Sequence, residues 1–409
     1  MSDPRNDPMF QQIVRAQLSR RNLLRGAGGM GAMAALAACG TGGGKSTTGS
    51  TASKSATKPA VADKSDTEKI VRWANWPAYL DFDEKTKKYP TLEEFQKKTG
   101  IKATYAEDID GNDTYYGKIQ GQLKNGQDIG KDVIVLTDWM AGRLIRQGYT
   151  QKLDKANIPN AKNLNPKLQN VDFDPGRNYS LTWQSGYAGI GYRKDKVGRE
   201  LKTLDDLWAP DLKGKIVVLD EMRDTVGLIM MNQGKDISGK FSKDDFMSAL
   251  AVLQKQVDSG QVRQVKGNSY LEDLRSGNAI AAIAWSGDIL LARFEEKDDN
   301  YTFTLPESGG TLWSDNLMVP IASPHKKNAE KLIDYYYDPT VAATVAAYVN
   351  YICPVEGAKA EMEKIDKTLV DSPLIFPTAA DLAKVKVFRS LTPDEETTFS
   401  TEFQKVIGA

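Results

Sequence analysis

From residue 67 onward, short apolar runs alternate with stretches of helical periodicity. Ile70-Val71-Arg72-Trp73 predicts a strand, Thr91-Leu92-Glu93-Glu94 has the form of a capping box opening a helix that Gly100 closes, and Ile101 to Tyr105 predicts a second strand. The alternation recurs: Asp132 to Leu136 predicts a strand followed by a helix to Gly148, Lys215 to Asp220 precedes another helix, and Ala279 to Trp285 is an apolar run of buried-strand type. Helical spacing is clear over 243–258 and 326–350, and no internal repeat is present. Strands separated by helices predict an α/β architecture with mainly parallel sheets, whose ligand sites lie outside the carboxyl ends of the strands.

The pattern before residue 67 is different. Ser19-Arg20-Arg21-Asn22-Leu23-Leu24-Arg25 is a twin-arginine motif, followed by a Gly- and Ala-rich stretch and by Leu36-Ala37-Ala38-Cys39, which has the form of a lipobox. The small-residue stretch is about 13 residues long, against the roughly 20 apolar residues a membrane-spanning helix needs, and its glycines disfavour an amphipathic helix. Residues 1–38 therefore predict an export signal, with Cys39 as the lipidation site. Residues 39–66 are rich in Gly, Ser, Thr, Lys and Ala and predict a flexible tether. With Cys39 lipidated, Cys353 has no intramolecular partner, so no structural disulfide is expected.

Charge narrows the function classes. The 409 residues carry 54 basic and 54 acidic side chains, and removal of 1–38 leaves 49 against 52. This gives no basic surface for nucleic acid. The single histidine, His325, sits beside Lys326 and Lys327 and reads as a surface residue. One histidine and two cysteines exclude most His-dependent catalysis and any zinc site with several Cys and His ligands, so no metal or cofactor is expected.

Aromatic and acidic residues recur at the strand ends: Asn75-Trp76-Pro77-Ala78-Tyr79 after the first strand, Thr137-Asp138-Trp139, Asp220-Glu221-Met222-Arg223-Asp224, and Trp285-Ser286-Gly287-Asp288. In GGTLWSDNLMVP, residues 309–320, Asp315 follows Trp313 by two, so in an extended segment both side chains share a face. Such a set suits an organic cation. Carboxylates supply counter-charge and acceptors, and aromatic rings cover methylenes while attracting the positive ends, by about 0.5–2 kcal/mol per contact. Each residue also has a plainer role. Trp76 or Trp183 alone reads as a core filler, Asp220 and Glu221 as helix N-cap and first-turn residues, Arg223 as a partner orienting nearby carboxylates, and Tyr335-Tyr336-Tyr337 as packing between helices.

These motifs carry a resemblance. From about residue 69 to the C-terminus the chain resembles the spermidine/putrescine-binding proteins of ATP-driven polyamine importers, matching in order NW-x-x-Y at 75–79, DLW-x-P-x-x-KG at 206–214 with DE-x-RD to 224, A-W-x-G at 284–287 and GG-x-x-W-x-D-x-L-x-x-P at 309–320. The resemblance implies a two-lobed periplasmic-binding-protein fold that closes on its ligand, with 67–184 plus 313–349 as one lobe and 185–312 plus 350–409 as the other. It implies ligand-lining aromatics at Trp76, Tyr79, Trp139, Trp285, Trp313 and Tyr351, with Thr137 beside them, and amine-binding acids at Glu221, Asp224 and Asp315. The chain departs from the family at Ala78, where an acid is often found, at Glu221 and Asp224, where Asp and Glu are exchanged, and near Arg389, where a glutamine falls. Asp138 and Asp288 add acids near the cleft. The function implied is that of a monomeric, lipid-anchored receptor which captures a polyamine and delivers it to a membrane permease with a cytoplasmic ATPase. A receptor for another solute, such as a sugar or an amino-acid-derived amine, and a carboxylate-dependent glycosidase remain as alternatives.

Overall fold

The computed structural model describes residues 61–408 apart from 110 and 268, so the export motif, Cys39 and most of the predicted tether lie outside the described residues. The main elements in chain order are β1 (Ile70–Ala74), α1 (Pro90–Thr99), β2 (Lys102–Ala106), α2 (Asn112–Lys124), β3 (Val133–Thr137), α3 (Asp138–Arg146), a small hairpin of β4 (Asn170–Val171) and β5 (Asp174–Pro175), β6 (Ser180–Arg193), β7 (Ile216–Leu219), α4 (Met222–Asn232), α5 (Lys243–Asp258), β8 (Val262–Lys266), α6 (Tyr270–Ser276), β9 (Ala281–Trp285), α7 (Ser286–Glu296), β10 (Tyr301–Thr304), β11 (Gly310–Met318), α8 (Lys326–Tyr336), α9 (Pro339–Val349), α10 (Ala358–Ile365), β12 (Val385–Lys386) and α11 (Pro393–Ile407).

The strand order is β2-β1-β3-β11-β6-β9-β7-β8, with β10 on β6 and β12 on β11. The outer strands are parallel, β1 to β2 and β3, β7 to β8 and β9, as the strand–helix alternation predicts. The long strands β6 and β11 add antiparallel pairings, because they run from one half of the molecule into the other. Asp315–Met318 of β11 pair with β3, whereas Ala188–Tyr192 of β6 pair with β9. A bridge from Ser185 to Ile352 makes a third connection beside them.

Each half has its own core. In the first lobe Trp73 of β1 meets Trp183 edge-on at 5.1 Å and Tyr336 at 5.2 Å, with Phe95, Leu332 and Val345 buried around them. In the second, α5 packs on α4 and α11, and Phe246 stacks on Phe399 at 4.0 Å. Full burial of such side chains contributes about 1.5–3 kcal/mol each. Trp183 is core, as its plainer reading held, and its Nε1 donates to the Tyr79 carbonyl at 3.3 Å. Tyr336 and Tyr337 are buried between elements of the first lobe.

Several local expectations are corrected. Thr91 does not cap α1, which begins at Pro90 after Tyr89; its N–H and hydroxyl bind Asp81 instead. The helical stretch 326–350 is two helices, since Pro339 has no N–H to continue the first and Asp338 caps the second. His325 is buried rather than on the surface: Nδ1 lies 3.1 Å from Asp132 and Nε2 2.9 Å from Glu68, while the flanking lysines are more exposed. The tether's last residues are docked, because Ser65 is buried and accepts from the Asn328 N–H at 3.1 Å. Cys353, Val355, Met362, Leu369 and Ile375 pack in the first lobe's core, not the second's; only the later segment, with Leu391, Phe399 and Phe403, joins the second.

Candidate functional site

Three strands run directly into helices at the junction of the lobes. β3 ends at Thr137 and α3 starts at Asp138, β7 leads through Asp220 and Glu221 into α4, and β9 ends at Trp285 where α7 begins. The loop after β1 brings Trp76 and Tyr79, and β11 crosses beneath. Together they surround a cleft of about 510 Å³, lined by all ten of Trp76, Tyr79, Thr137, Trp139, Glu221, Asp224, Trp285, Trp313, Asp315 and Tyr351, and also by Asp138, Asp220 and Asp288.

One end is organised by Asp315. Register places it opposite Thr137. Its carboxylate accepts from the Tyr79 hydroxyl at 2.8 Å and the Thr137 hydroxyl at 2.7 Å, and Thr137 is itself held by Asn112, whose Nδ2 donates to Oγ1 at 2.9 Å. Among the described residues no basic side chain is bonded to Asp315. Burial pushes its carboxyl up to about 7; the two hydroxyl donors pull it down, and the Asp138 charge raises it further. Asp138, pushed by burial to about 6, accepts from Asn316 Nδ2 at 2.8 Å, and the other end of that amide accepts from the buried Arg177 at 2.8 Å.

Above this end stands an aromatic wall. Tyr351 meets Trp313 edge-on at 5.2 Å and Tyr79 at 6.0 Å, and its hydroxyl donates to Asp288 at 3.1 Å. Two glycines make room for it. A Cβ on Gly186 would lie 2.9 Å from ring atoms of both Trp313 and Tyr351, and one on Gly287 would lie 2.6 Å from Tyr351 Cζ. The glycine of the A-W-x-G motif is thus explained by the Tyr351 ring.

The other end is built on α4. Asp224 accepts from Trp285 Nε1 at 2.8 Å and from the Thr311 hydroxyl at 2.6 Å, and burial raises its carboxyl. Glu221 is the N-cap of α4, accepting from the Arg223 N–H at 3.3 Å, so the cap role falls to Glu221 and not to Asp220. Burial pushes Glu221 to about 7 against the pull of Arg223. Arg223 pairs with Glu221 at 3.8 Å and with Glu396 at 3.2 Å, and its guanidinium lies 4.3 Å from the Trp139 ring. Its plainer reading, as an orienting partner for carboxylates, matches these contacts.

Helix N-termini favour anions, and α3, α4 and α7 all start at the cleft. Each carries an acid in its first turn, Asp138, Asp224 and Asp288 respectively. These carboxylates occupy the positive ends of the dipoles, where an anionic ligand would otherwise be favoured.

The pattern for bacterial extracellular solute-binding proteins matches residues 91–376. The chain is a bacterial extracellular solute-binding protein. Among its relatives, it is 27% identical over 349 residues to the spermidine/putrescine-binding periplasmic protein of Escherichia coli (strain K12), covering 85% of this chain and 90% of that one. It is 26% identical to a putrescine-binding periplasmic protein of the same organism, over 80% of this chain and 88% of that one. In fold it is similar to a spermidine/putrescine transporter substrate-binding protein from Streptococcus pneumoniae, with a TM-score of 0.69, 22% identity, and coverage of 82% of this chain and 98% of that chain. A putative spermidine/putrescine transporter protein from Listeria monocytogenes gives 0.70 and 24%, covering 83% and 98%.

The solute-binding protein relies on residues that its sequence left unmarked. Asn112 sets Thr137, Thr311 sets Asp224, and the Tyr270 hydroxyl accepts from the Trp285 N–H at 3.1 Å. Thr311 lies within the GG-x-x-W-x-D motif and two residues before Trp313, a spacing that puts it on the cleft face of β11. Nothing comparable marks Asn112 or Tyr270. Trp76 is only partly free as a platform, since its Nε1 donates to the Val135 carbonyl at 3.0 Å.

Proposed function

We propose that this solute-binding protein captures a linear polyamine of the spermidine/putrescine class and delivers it to an ATP-driven importer, working as a monomer on the outer face of the membrane through a lipid on Cys39. The observation that carries the ligand class is Asp315, a buried carboxylate held by two neutral hydroxyls in an aromatic-walled cleft, with no basic side chain bonded to it among the described residues. An ammonium group supplies the missing charge. Asp315 and Thr311, the partner of Asp224, are four residues apart on β11, which sets the two acidic ends about 13 Å apart along the strand. A chain with amines at both ends and methylenes over Trp313 spans that interval. The names of the relatives agree with this ligand class, and the family with a binding role in place of glycoside hydrolysis.

Calorimetric titration of the purified chain with putrescine, cadaverine, spermidine, spermine and a neutral sugar tests the proposal. Saturable binding of at least one amine and none of the sugar is expected; silence with every amine, or amine turnover on prolonged incubation, overturns it. For the anchor, Cys39→Ala is expected to release the protein from membranes, and continued membrane association would remove Cys39 from this role.

A further inference from the structure

A second cluster of charge joins the lobes beside the ligand-lining surface. Glu396, on α11 of the second lobe, is buried and does not line the cleft. Its carboxylate accepts from Arg143 Nη2 at 3.1 Å and Arg146 Nη2 at 3.2 Å, both on α3 of the first lobe, and from Arg223 Nη2 at 3.2 Å on α4 of its own lobe. Arg143 also pairs with Asp113 at 2.9 Å. Trp139 is the common wall, with the guanidinium of Arg143 4.9 Å and that of Arg223 4.3 Å from its ring. Nearby, Asp172 at the tip of the β4–β5 hairpin accepts from the Ser390 N–H at 2.8 Å and its hydroxyl at 3.1 Å, again crossing between lobes.

Two of the carboxylate's three cations belong to the opposite lobe, so neither lobe's own fold requires them. When the lobes part, Arg143 keeps Asp113 and Arg146 is free to turn to water, while Glu396 keeps Arg223. When the lobes meet, Glu396, together with Asp113 on Arg143 and Glu221 on Arg223, offsets guanidinium groups that would otherwise repel across the junction. Charge-assisted bonds of this kind are strong where water is excluded, and truncating one member leaves its partners uncompensated.

We propose that Glu396 is an interlobe clasp: it holds the arginines of both lobes together, raises the population of the closed form, and so sets the affinity for any solute without touching it. It is a positioning residue, acting through the arginines that join the lobes. Apparent affinity scales with the fraction of molecules in the competent form, so loss of the clasp weakens every ligand by one common factor. The clasp does not depend on which solute is bound.

The test compares the full chain with Glu396→Gln. Small-angle scattering without ligand should show a more expanded particle for the variant, and putrescine and spermidine should each bind about tenfold more weakly, by the same factor and through faster release. Arg143→Gln combined with Arg146→Gln should reproduce both effects from the other lobe while leaving the Glu396–Arg223 pair in place, and this variant decides the matter if Glu396→Gln does not fold. Unchanged scattering with unchanged affinity, or a loss confined to one amine, overturns the clasp. If the native chain binds neither amine, the polyamine proposal fails, and scattering alone decides whether the clasp stands.

Discussion

The two ends of the cleft reach a negative surface by different means. At the Asp315 end the carboxylate is held by neutral donors, Tyr79 and Thr137, and its charge is left for something else to balance. At the α4 end Glu221 already shares Arg223, which in turn leans on Glu396 and Trp139. An acid oriented by hydroxyls is poised for an incoming cation, whereas an acid paired within the protein is partly spent. The first end should therefore carry more of the affinity, and the second more of the coupling between ligand and lobe closure.

The largest expected effect follows from removing the uncompensated charge. Asp315→Asn keeps the size of the side chain, retains an oxygen for one hydroxyl donor, and loses the counter-ion; amine binding should weaken by about 2 kcal/mol or more, roughly thirtyfold. Calorimetry checks this, and an unchanged affinity would remove Asp315 from the site. The comparison then predicts a smaller loss at the other end.

Acidity should weaken both ends next. Burial raises Asp315 and Glu221 to about 7, above the usual carboxylate values of 3.8 and 4.5. Between those limits the folded, ligand-free protein binds protons that the unfolded chain releases, so these groups add stability at low pH that is lost as pH rises toward 7. A bound ammonium reverses the sign, because it requires the ionised form. Amine affinity should fall on acidification below about pH 7, by up to about tenfold per unit where one proton must be displaced. In thermal melts, the rise in Tm given by spermidine should be larger at pH 7.5 than at pH 5.5, and Asp315→Asn should shrink that difference to the part that Glu221 contributes. A rise independent of pH would mean that neither raised carboxyl meets the amine.

Much of this was legible in the sequence, for identifiable reasons. Strand ends are marked by the change from apolar run to turn, which places Thr137, Glu221 and Trp285 at the sheet's edge from the sequence pattern. The two-residue spacing of Trp313 and Asp315 survives because both precede the irregularity in β11, which falls between Asp315 and Asn316. What was hidden depends on contacts distant in sequence. Glu396 meets Arg143 across 253 positions, and nothing local distinguishes it from the other acids in the first turn of α11. His325 reads as a surface residue for a related reason: its neighbours are lysines, but its partners, Glu68 and Asp132, come from far upstream. The glycine at 186 reads as a weak strand residue until Trp313 and Tyr351 occupy the space where its Cβ would be.

The smallest effects sharpen the comparison within the α4 end. Asp224 is set by Trp285 and Thr311, both neutral, and so resembles Asp315; Asp224→Asn should cost about 1–2 kcal/mol of amine binding. Glu221→Gln should cost less than about 1 kcal/mol, because Arg223 already offsets much of the charge that is removed. Losing Glu221 also leaves Arg223 wholly to Glu396, which tightens their pair inside the second lobe and weakens the pull on Arg143 across the junction. The residual loss should therefore be shared equally by putrescine and spermidine, whereas loss at Asp224 should fall hardest on the amine long enough to reach it. Calorimetry of the two variants with both amines separates these outcomes: equal losses from Asp224→Asn and Glu221→Gln would show that the α4 end acts as one diffuse charge, and the contrast between the two ends would then reduce to Asp315 alone.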